Sequence, residues 1–444
     1  MELKRQLGLR TATALVVGEV IAVGIFLTPA GMAKSLAAPF LVLIVWLAMG
    51  LMALCGALCY GELAARYPEA GGGYVYLREA YGPALAFMYG WMALLVMDPG
   101  LTAALAVGIA SYASYSLALS PASGKALAIG VIMITAALNI RGVRLGGALV
   151  RWLTVLKLGF LAFVLVWGLG SQRGNSSHFL PFIGQRSQSL PLFAALASGV
   201  VGAFFSFGGW WDMSKLAGEV REPRYTLPRA MAFGVLIVTL VYILTSGVFI
   251  YLVSPDNVTS GETFAAQAGE TLFGSFGGQV FSAIVIVSVL GSLAAVVMSA
   301  PRVYFAMAQD GLFFPGAATL HPRFGTPARA IALQALLASV LVLLGNFNQI
   351  VSYFFFVVVI FLALSVGAIF VLRKKQLAKL DYTTPAYPLT PIIFLVMVTV
   401  VLVLLAAGNP LQSFLGVCIV ALGAPVYYLF IRKKFYSESA RGVN

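Results

Sequence analysis

Ionisable residues inside long apolar runs are the chemically distinctive feature of this 444-residue chain. Glu19 lies in the first such run, Asp98 precedes a proline in the third, and Lys157 lies in the fifth. A charged side chain at the centre of a membrane helix costs about 2.5–3.5 kcal/mol or more unless it faces a partner or water. Glu19 is therefore a candidate for binding a cation or a proton, and a charge partner of Lys157 is the alternative interpretation. Asp98 is either a proton site or a solvated residue near a helix end.

Two of the apolar runs are interrupted by glycine where a membrane helix should be continuous. Gly24 lies in the middle of the first run, and Gly208-Gly209 lies in the sixth. In lipid, an interrupted helix is tolerated only where it is buried in protein or lines a polar cavity. Its free N–H and C=O groups can then hold a solute. The two breaks are five helices apart, which is the spacing of an inverted five-plus-five repeat. For the glycine pair taken alone, a kink or a packing contact within a continuous helix is the alternative interpretation.

The composition assigns the chain to the polytopic membrane proteins. Its residues are 61% hydrophobic and 10% charged, whereas a soluble domain has about 25% charged residues. Apolar runs of about 20 residues, the length that spans a bilayer, predict twelve helices. They lie near 11–36, 40–65, 84–117, 124–140, 148–170, 190–216, 228–253, 277–308, 329–345, 347–372, 390–407 and 411–431.

The distribution of basic residues predicts the orientation. With a cytoplasmic N-terminus, only Lys34, Lys125, Arg173 and Arg186 of the 28 Lys and Arg residues fall in outer loops. This asymmetry follows the positive-inside rule and also explains the net charge of +13, so that no nucleic acid partner is needed. We expect both termini in the cytoplasm, a multi-pass protein and, because the loops are short, the plasma membrane of a bacterium.

Four stretches of the chain resemble the amino acid–polyamine–organocation (APC) superfamily of transporters, and within it the L-type amino acid permeases. They are Gly24-Ile25-Phe26; Gly61-Glu62-Leu63 with Pro68 to Tyr81; Gly209-Trp210 with Ala217-Gly218-Glu219 and Pro223 to Pro228; and Pro301-Arg302-Val303-Tyr304 to Gly311, with Pro327. The resemblance implies an all-α, LeuT-type fold with twelve transmembrane helices, of which helices 1 and 6 are discontinuous. It implies one domain over 1–444, with repeats at about 11–170 and 190–372 and two extra helices at about 390–431.

The resemblance also implies where a substrate binds. In such permeases the substrate carboxylate meets backbone N–H groups at the break in helix 1, and its amino group meets free carbonyls at both breaks. Phe205 resembles the aromatic residue that closes over the substrate, and Trp210 and Trp211 are candidate walls. The binding residues implied on this chain are Glu19, Ile21, Ala22, Val23, Gly24, Phe205, Ser206, Gly208 and Trp210.

The sequence departs from the family pattern at two of these positions. The family usually has Gly-Ser-Gly at the first break, where this chain has Ala22-Val23-Gly24, so a hydroxyl that would bind a carboxylate is missing. At Glu19 the family usually has a neutral residue. A carboxylate there favours a cationic substrate or a proton. Polyamines, other amines and sugars therefore remain alternative substrates.

Lys157 matches a lysine that, in sodium-independent L-type permeases, occupies the place of a sodium ion in their sodium-coupled relatives. The resemblance therefore assigns a coupling role to Lys157, with Glu19 as the second coupling candidate, and predicts transport without sodium. Ser292 and Ser299 in helix 8 are both candidates to face the lysine.

At the inner helix ends the sequence places a set of charged residues, Glu62, Arg66, Arg78, Glu219 and Arg302, that we interpret as ion pairs of an inner gate.

The predicted function is secondary active transport of small amino acids by alternating access, as an exchanger or a proton symporter. A proton-coupled carrier of another solute and a sensor that binds without transport are the alternatives. Two histidines and no Gly-Lys-Ser or Gly-Lys-Thr loop argue against an enzyme or an ATP-driven pump. No cofactor or metal is expected, and the expected partners are a small solute, the lipid bilayer and protons if transport is proton-coupled.

Overall fold

The computed structural model describes residues 3–22, 24–36, 38–183, 191–254, 264–344, 347–375 and 381–432. Within these ranges the chain is helical, and its only strand-like contact is one isolated bridge between Leu7 and Val220. The α-helices are α1 Leu9–Val20, α2 Gly24–Leu36, α3 Pro39–Arg66, α4 Gly73–Tyr81, α5 Pro83–Met92, α6 Asp98–Leu117, α7 Pro121–Ile140, α8 Val143–Gly170, α9 Leu192–Ser206, α10 Pro223–Leu252, α11 Phe264–Phe273, α12 Gly277–Ser299, α13 Pro301–Gln309, α14 Ala328–Leu344, α15 Phe347–Lys375, α16 Leu389–Gly408, α17 Pro410–Ala421 and α18 Gly423–Val426.

Nine helical segments in the described part of the chain are long and apolar enough to cross a membrane. They are Pro39–Arg66, Pro83–Ser114, Pro121–Ile140, Val143–Gly170, Pro223–Leu252, Gly277–Gln309, Phe355–Lys375, Leu389–Gly408 and Pro410–Ile431. The helices α9 and α14 are apolar but shorter. Helical segments suit the bilayer because they satisfy their own backbone hydrogen bonds. The described part of the chain is thus all-helical, and the chain is a multi-pass membrane protein.

The first apolar run is divided into two helices. α1 ends at Val20 and α2 begins at Gly24. At Ile21 the backbone leaves the helical conformation, with φ −73° and ψ 77°. Gly24 lies so close to the other break that a Cβ atom on it would be 2.8 Å from the Cα of Ser206. Glycine is thus required where the two interrupted runs touch.

The sixth apolar run is α-helical over only part of the expected 190–216. α9 ends at Ser206, a turn follows, and a 3₁₀ segment covers Asp212–Glu219. Gly209 in the turn has φ 109°, a backbone conformation that side chains other than hydrogen rarely allow. The 3₁₀ segment that follows the turn packs against α1.

Helix packing brings the two breaks together. α1 packs against α8, α10 and α12, while α9 packs against α2 and α3. The ends of α1 and α9 come together, because one hydroxyl group, that of Tyr242, reaches the carbonyls of Val20 and Ser206. The helices α3, α8, α10 and α12 that pack around them are membrane spans. This is the part of the fold that forms the candidate site.

Candidate functional site

A cavity of about 50 Å³ lies between the two breaks. One water needs roughly 10–15 Å³ by the same measure, so the space suits a few waters or a small solute. Its wall is mostly apolar but carries two carboxyl groups, those of Glu19 and Asp212. The residues that line it are Glu19, Val20, Ala22, Gly24, Met97, Leu101, Leu105, Phe205, Ser206, Gly208, Gly209, Trp211, Asp212, Val296, Phe355 and Val358.

Six of the binding residues expected from the sequence line this cavity, namely Glu19, Ala22, Gly24, Phe205, Ser206 and Gly208. Phe205 packs edge-on against Phe355, with ring centroids 5.5 Å apart. Val23 lies outside the described residues, so the structure assigns it no position. Ile21 and Trp210 are described but do not line the cavity.

Trp210 lies behind the cavity wall. Its side chain is fully buried and packs edge-on against Tyr60 and Trp211, with ring centroids 5.3 Å from each. Trp211 is the tryptophan that contacts the cavity. Of the two candidates, the structure thus places Trp211 at the site and Trp210 in the packing that supports it.

A tyrosine that the sequence analysis missed joins the two breaks. The Tyr242 hydroxyl lies 2.8 Å from the Val20 carbonyl oxygen and 2.7 Å from that of Ser206. These carbonyls are left without helical partners because α1 and α9 end there. A single tyrosine inside an apolar helix gives no sequence signal of such a role.

Lys157 contacts the end of α1 but does not line the cavity. Its ammonium donates to the carbonyl oxygens of Gly18, at 2.9 Å, and Ile21, and lies 3.1 Å from the Ser292 hydroxyl. Ser292 in turn donates to the Gly18 carbonyl at 2.6 Å. Of the two serine candidates, Ser292 therefore faces the lysine. The alternative ion pair between Lys157 and Glu19 does not form, because the lysine binds backbone carbonyls instead.

Glu19 points toward the second break. The Ser299 hydroxyl lies 3.4 Å from Glu19 Oε1, and the Asp212 carboxyl group lines the same cavity as Glu19. A Cβ atom on Gly209 would come within 3.0 Å of Glu19 Cγ, so the glycine turn makes room for this side chain. Within the described residues Glu19 forms no salt bridge.

A buried charge cluster lies beside Glu19. The Lys215 ammonium is 2.8 Å from a carboxylate oxygen of Asp98 and 2.8 Å from one of Asp212. The Tyr304 hydroxyl donates to the other Asp98 oxygen at 3.0 Å. Asp98 is thus buried and paired rather than solvated at a helix end. The sequence did carry a signal for this cluster, because Asp212 and Lys215 lie three residues apart just after the glycine pair of the sixth apolar run.

The charged residues expected at an inner gate form ion pairs. Arg302 and Glu219 make a two-pronged pair, at 2.7 and 3.4 Å, with both side chains buried. Glu62 is held 3.5 Å from Arg66 and 2.5 Å from Arg373, a partner that the sequence analysis did not name.

The last of these expected gate residues, Arg78, pairs with Asp310 in the loop after α13 and with Glu69 and Glu79. Burial lowers the pKa of Arg78, but the negative charge of Asp310 raises it by more, so the guanidinium stays charged. Asp310 was not among the predicted gate residues, and its partner lies more than 200 positions earlier in the chain.

Comparison with known proteins identifies the family of this chain. The sequence profile of the amino acid permease family matches residues 7–429. The serine/threonine exchanger SteT of Bacillus subtilis is 31% identical over 436 residues, covering 97% of this chain and 98% of the relative.

Mammalian relatives are similar over almost the whole chain. The b(0,+)-type amino acid transporter 1 of Oryctolagus cuniculus is 28% identical over 98% of this chain and 89% of its own length. The large neutral amino acids transporter small subunit 2 of Homo sapiens is 28% identical over 96% of this chain and 80% of its own length. The resemblance inferred from the four motifs is confirmed, and the chain belongs to the amino acid permease family of the APC superfamily.

Proposed function

We propose that this protein carries small amino acids across the plasma membrane by alternating access, without sodium, as an exchanger or a proton symporter. The observation that carries the proposal is a small buried cavity bounded by two interrupted helices. The relatives are named as amino acid transporters, and one as a serine/threonine exchanger. A cavity of about 50 Å³ fits an amino acid with a small side chain better than one with a large aromatic side chain.

The substrate is proposed to lie along the break between α1 and α2. The N-terminus of α2, at Gly24, carries the positive end of the helix dipole and attracts a carboxylate. The substrate ammonium would face the other side of the cavity, where the carboxyl groups of Glu19 and Asp212 lie. The missing family hydroxyl at Val23 leaves the backbone as the carboxylate ligand.

The proposed architecture has twelve transmembrane helices in two inverted repeats, at about 11–170 and 190–372, followed by two more helices at about 390–431. The helix interruptions after Val20 and after Ser206 support this arrangement, because each lies in the first apolar run of its repeat. The proposed orientation puts both termini in the cytoplasm, since the basic residues concentrate on that side.

Lys157 is proposed to take the place of a coupling ion. Its ammonium joins α1 to α12 through two carbonyl oxygens and Ser292, where a cation would otherwise be needed to satisfy the carbonyls. A tethered charge of this kind makes a free sodium ion unnecessary. Protons remain available as a coupling ion because carboxyl groups line the cavity.

Uptake into liposomes tests this function. Purified protein is reconstituted with unlabelled L-serine inside, and entry of labelled L-serine and L-alanine is followed in sodium buffer and in choline buffer. We expect equal uptake in both buffers and little uptake into liposomes without internal serine if the carrier is an exchanger. Uptake that requires sodium would overturn the role of Lys157, and binding without any accumulation would identify a sensor.

A carrier of cationic solutes is the second candidate. Two carboxyl groups in the cavity wall, Glu19 and Asp212, favour a positively charged ligand. Competition of labelled serine uptake by putrescine and by neutral amino acids separates the two. Inhibition by putrescine alone would support the amine carrier.

A further inference from the structure

We infer that Lys215 is a positioning residue, because its ammonium ties the 3₁₀ segment Asp212–Glu219 to α6 and so fixes the Asp212 carboxylate at the cavity. The inference rests on the proposed function and deepens it, since this carboxylate would accept the ammonium group of the solute. Lys215 and Asp212 lie outside the four stretches that carry the family resemblance. Their role follows from the contacts of Lys215 and from how its partner on α6 is held.

The 3₁₀ segment is unusually long for its conformation. It has 8 residues, whereas 3₁₀ helices longer than about three or four residues are uncommon because their hydrogen bonds are poorly aligned. It also follows a turn at Gly209 with φ 109° instead of continuing an α-helix. A segment of this kind needs contacts with neighbouring helices to keep one conformation.

Lys215 supplies such a contact from the face of the segment that carries Asp212. A 3₁₀ helix has about three residues per turn, so side chains three positions apart lie directly above one another. The Lys215 ammonium is accordingly 2.8 Å from Asp212 Oδ1. The same ammonium donates a hydrogen bond to Asp98 Oδ1 at 2.8 Å, and both side chains of this pair are 1% exposed. One lysine therefore bridges the segment to α6.

Asp98 is the fixed end of this bridge. Its second carboxylate oxygen accepts a hydrogen bond from the Tyr304 hydroxyl of α13 at 3.0 Å. Its backbone carbonyl accepts one from the Thr102 hydroxyl at 2.7 Å. Thr102 in turn accepts a hydrogen bond from the Gln334 amide of α14 at 2.9 Å. Contacts from three helices thus hold Asp98, so that Lys215 is attached to a rigid point of the fold.

The same part of α6 borders the cavity. Met97, Leu101 and Leu105 line it from positions four residues apart, which share one face of a helix. Asp98 follows Met97 directly and begins α6. A movement of the 3₁₀ segment away from Asp98 would therefore change the cavity itself.

Asp212 is the end of the bridge that lines the cavity. Among the residues that the structure describes, no donor is aligned for a hydrogen bond with its buried Oδ1, although the Lys215 ammonium is 2.8 Å away. Both carboxylate oxygens of Asp98, by contrast, accept hydrogen bonds. An ionised carboxylate can accept several hydrogen bonds. Asp212 is thus held in place by charge and can still accept a hydrogen bond from an ammonium group in the cavity.

A charge-balanced double variant tests this role in the full-length protein. Lys215→Met alone would leave two buried carboxylates without a base. Asp98→Asn/Lys215→Met removes one charge of each sign, so the cluster keeps its net charge while Asp212 loses the contact that positions it. We expect this double variant to raise the KM for L-serine uptake into liposomes about tenfold or more, with a smaller change in the maximal rate. A wild-type KM would overturn the inference, because Lys215 would then only neutralise charge.

Asp212→Asn identifies the residue through which Lys215 acts. This variant should raise KM by a similar factor. The triple variant Asp98→Asn/Asp212→Asn/Lys215→Met should raise it no further, since substitutions that remove the same interaction are not additive. Additive effects on KM would mean that Lys215 acts independently of Asp212, and would contradict the inference. If the double variant does not fold, Asp98→Asn/Lys215→Gln, which keeps a polar side chain, takes its place.

Hydrogen exchange of the solute-free protein tests the anchor without transport. Amides of residues 212–219 should exchange faster in the double variant than in wild-type protein, with amides of α8 as the internal reference. Lys125→Met is the matched control, because the Lys125 ammonium contacts the Leu343 carbonyl and does not line the cavity. This control should change neither KM nor exchange.

The two measurements separate failure of the inference from failure of the proposed function. Unchanged exchange of residues 212–219 in the double variant would show that Lys215 does not anchor the segment. If wild-type protein takes up neither L-serine nor putrescine, the proposed function fails, and hydrogen exchange then decides the anchoring role by itself.

Discussion

At the scale of single residues, the structure distinguishes hydroxyl groups that look equivalent in the sequence. Ser288, Ser292 and Ser299 all lie in α12 and are fully buried. Ser292 donates to the Gly18 carbonyl and contacts Lys157, whereas Ser299 lies beside Glu19. Among the residues that the structure describes, the Ser288 hydroxyl has no hydrogen-bond partner. The role of each serine therefore depends on which helix its side chain faces.

We expect Ser292→Ala to destabilise the protein by about 1–3 kcal/mol, because it removes a buried hydrogen bond to the Gly18 carbonyl and one of the three partners of the Lys157 ammonium. Uptake should fall along with stability, since the break in the first run loses one of its supports. Thermal unfolding in detergent and liposome uptake measure the two effects. Ser288→Ala, one turn away, is the matched control and should change neither. Equal effects of the two variants would contradict the assignment of Ser292.

At the scale of elements, the important contact is the one between the two interrupted runs. Gly24 at the start of α2 and Ser206 at the end of α9 touch without room for a side chain. Thr28, one turn further along α2, accepts a hydrogen bond from the Ser206 hydroxyl at 2.8 Å. The half-helices are thus held against each other at the cavity, so that a movement of one half-helix must displace the other.

Gly24→Ala should reduce uptake by about tenfold or more, because a Cβ atom would lie 2.8 Å from the Ser206 backbone and overpacking costs about 1–3 kcal/mol. Initial rates of labelled serine uptake measure the effect. Gly31→Ala is the control in the same helix, since a Cβ there meets nothing within 4 Å. A Gly24→Ala variant with wild-type rates would show that the two half-helices separate freely.

At the scale of the whole molecule, ion pairs link helix ends that we propose to lie on the cytoplasmic side. The Arg302–Glu219 pair joins α13 to the end of the 3₁₀ segment, and the Arg373–Glu62 pair joins α15 to α3. Opening toward that side requires at least some of these contacts to break. Their loss should therefore favour the open form of the carrier.

Glu219→Gln should weaken the closed form by about 3–5 kcal/mol, because it leaves the buried Arg302 guanidinium without its charge partner. Maleimide labelling of the buried Cys59, one turn before Glu62 on α3, should become faster as that side opens. Asp381→Asn is the control, because it breaks the exposed Arg224–Asp381 pair, worth about 0–1 kcal/mol. Unchanged labelling of Cys59 in Glu219→Gln would exclude this pair from the gate.

The sequence by itself determined the class of the protein and the positions of its breaks. Apolar runs require helices in a bilayer, and glycine within a run weakens the helix wherever it occurs, so Gly24 and Gly208-Gly209 could be recognised locally. Six of the binding residues that the family resemblance implies line the cavity beside these breaks, Glu19 among them.

Only the tertiary structure decided the partners of the buried charges. Lys157 binds the carbonyls of α1 rather than Glu19, and Asp98 pairs with Lys215 although 117 positions separate them. A sequence shows that a buried charge must have a partner, but packing of distant helices selects which partner is within 3 Å. Packing likewise decides that Trp211 lines the cavity, whereas Trp210 packs against Tyr60.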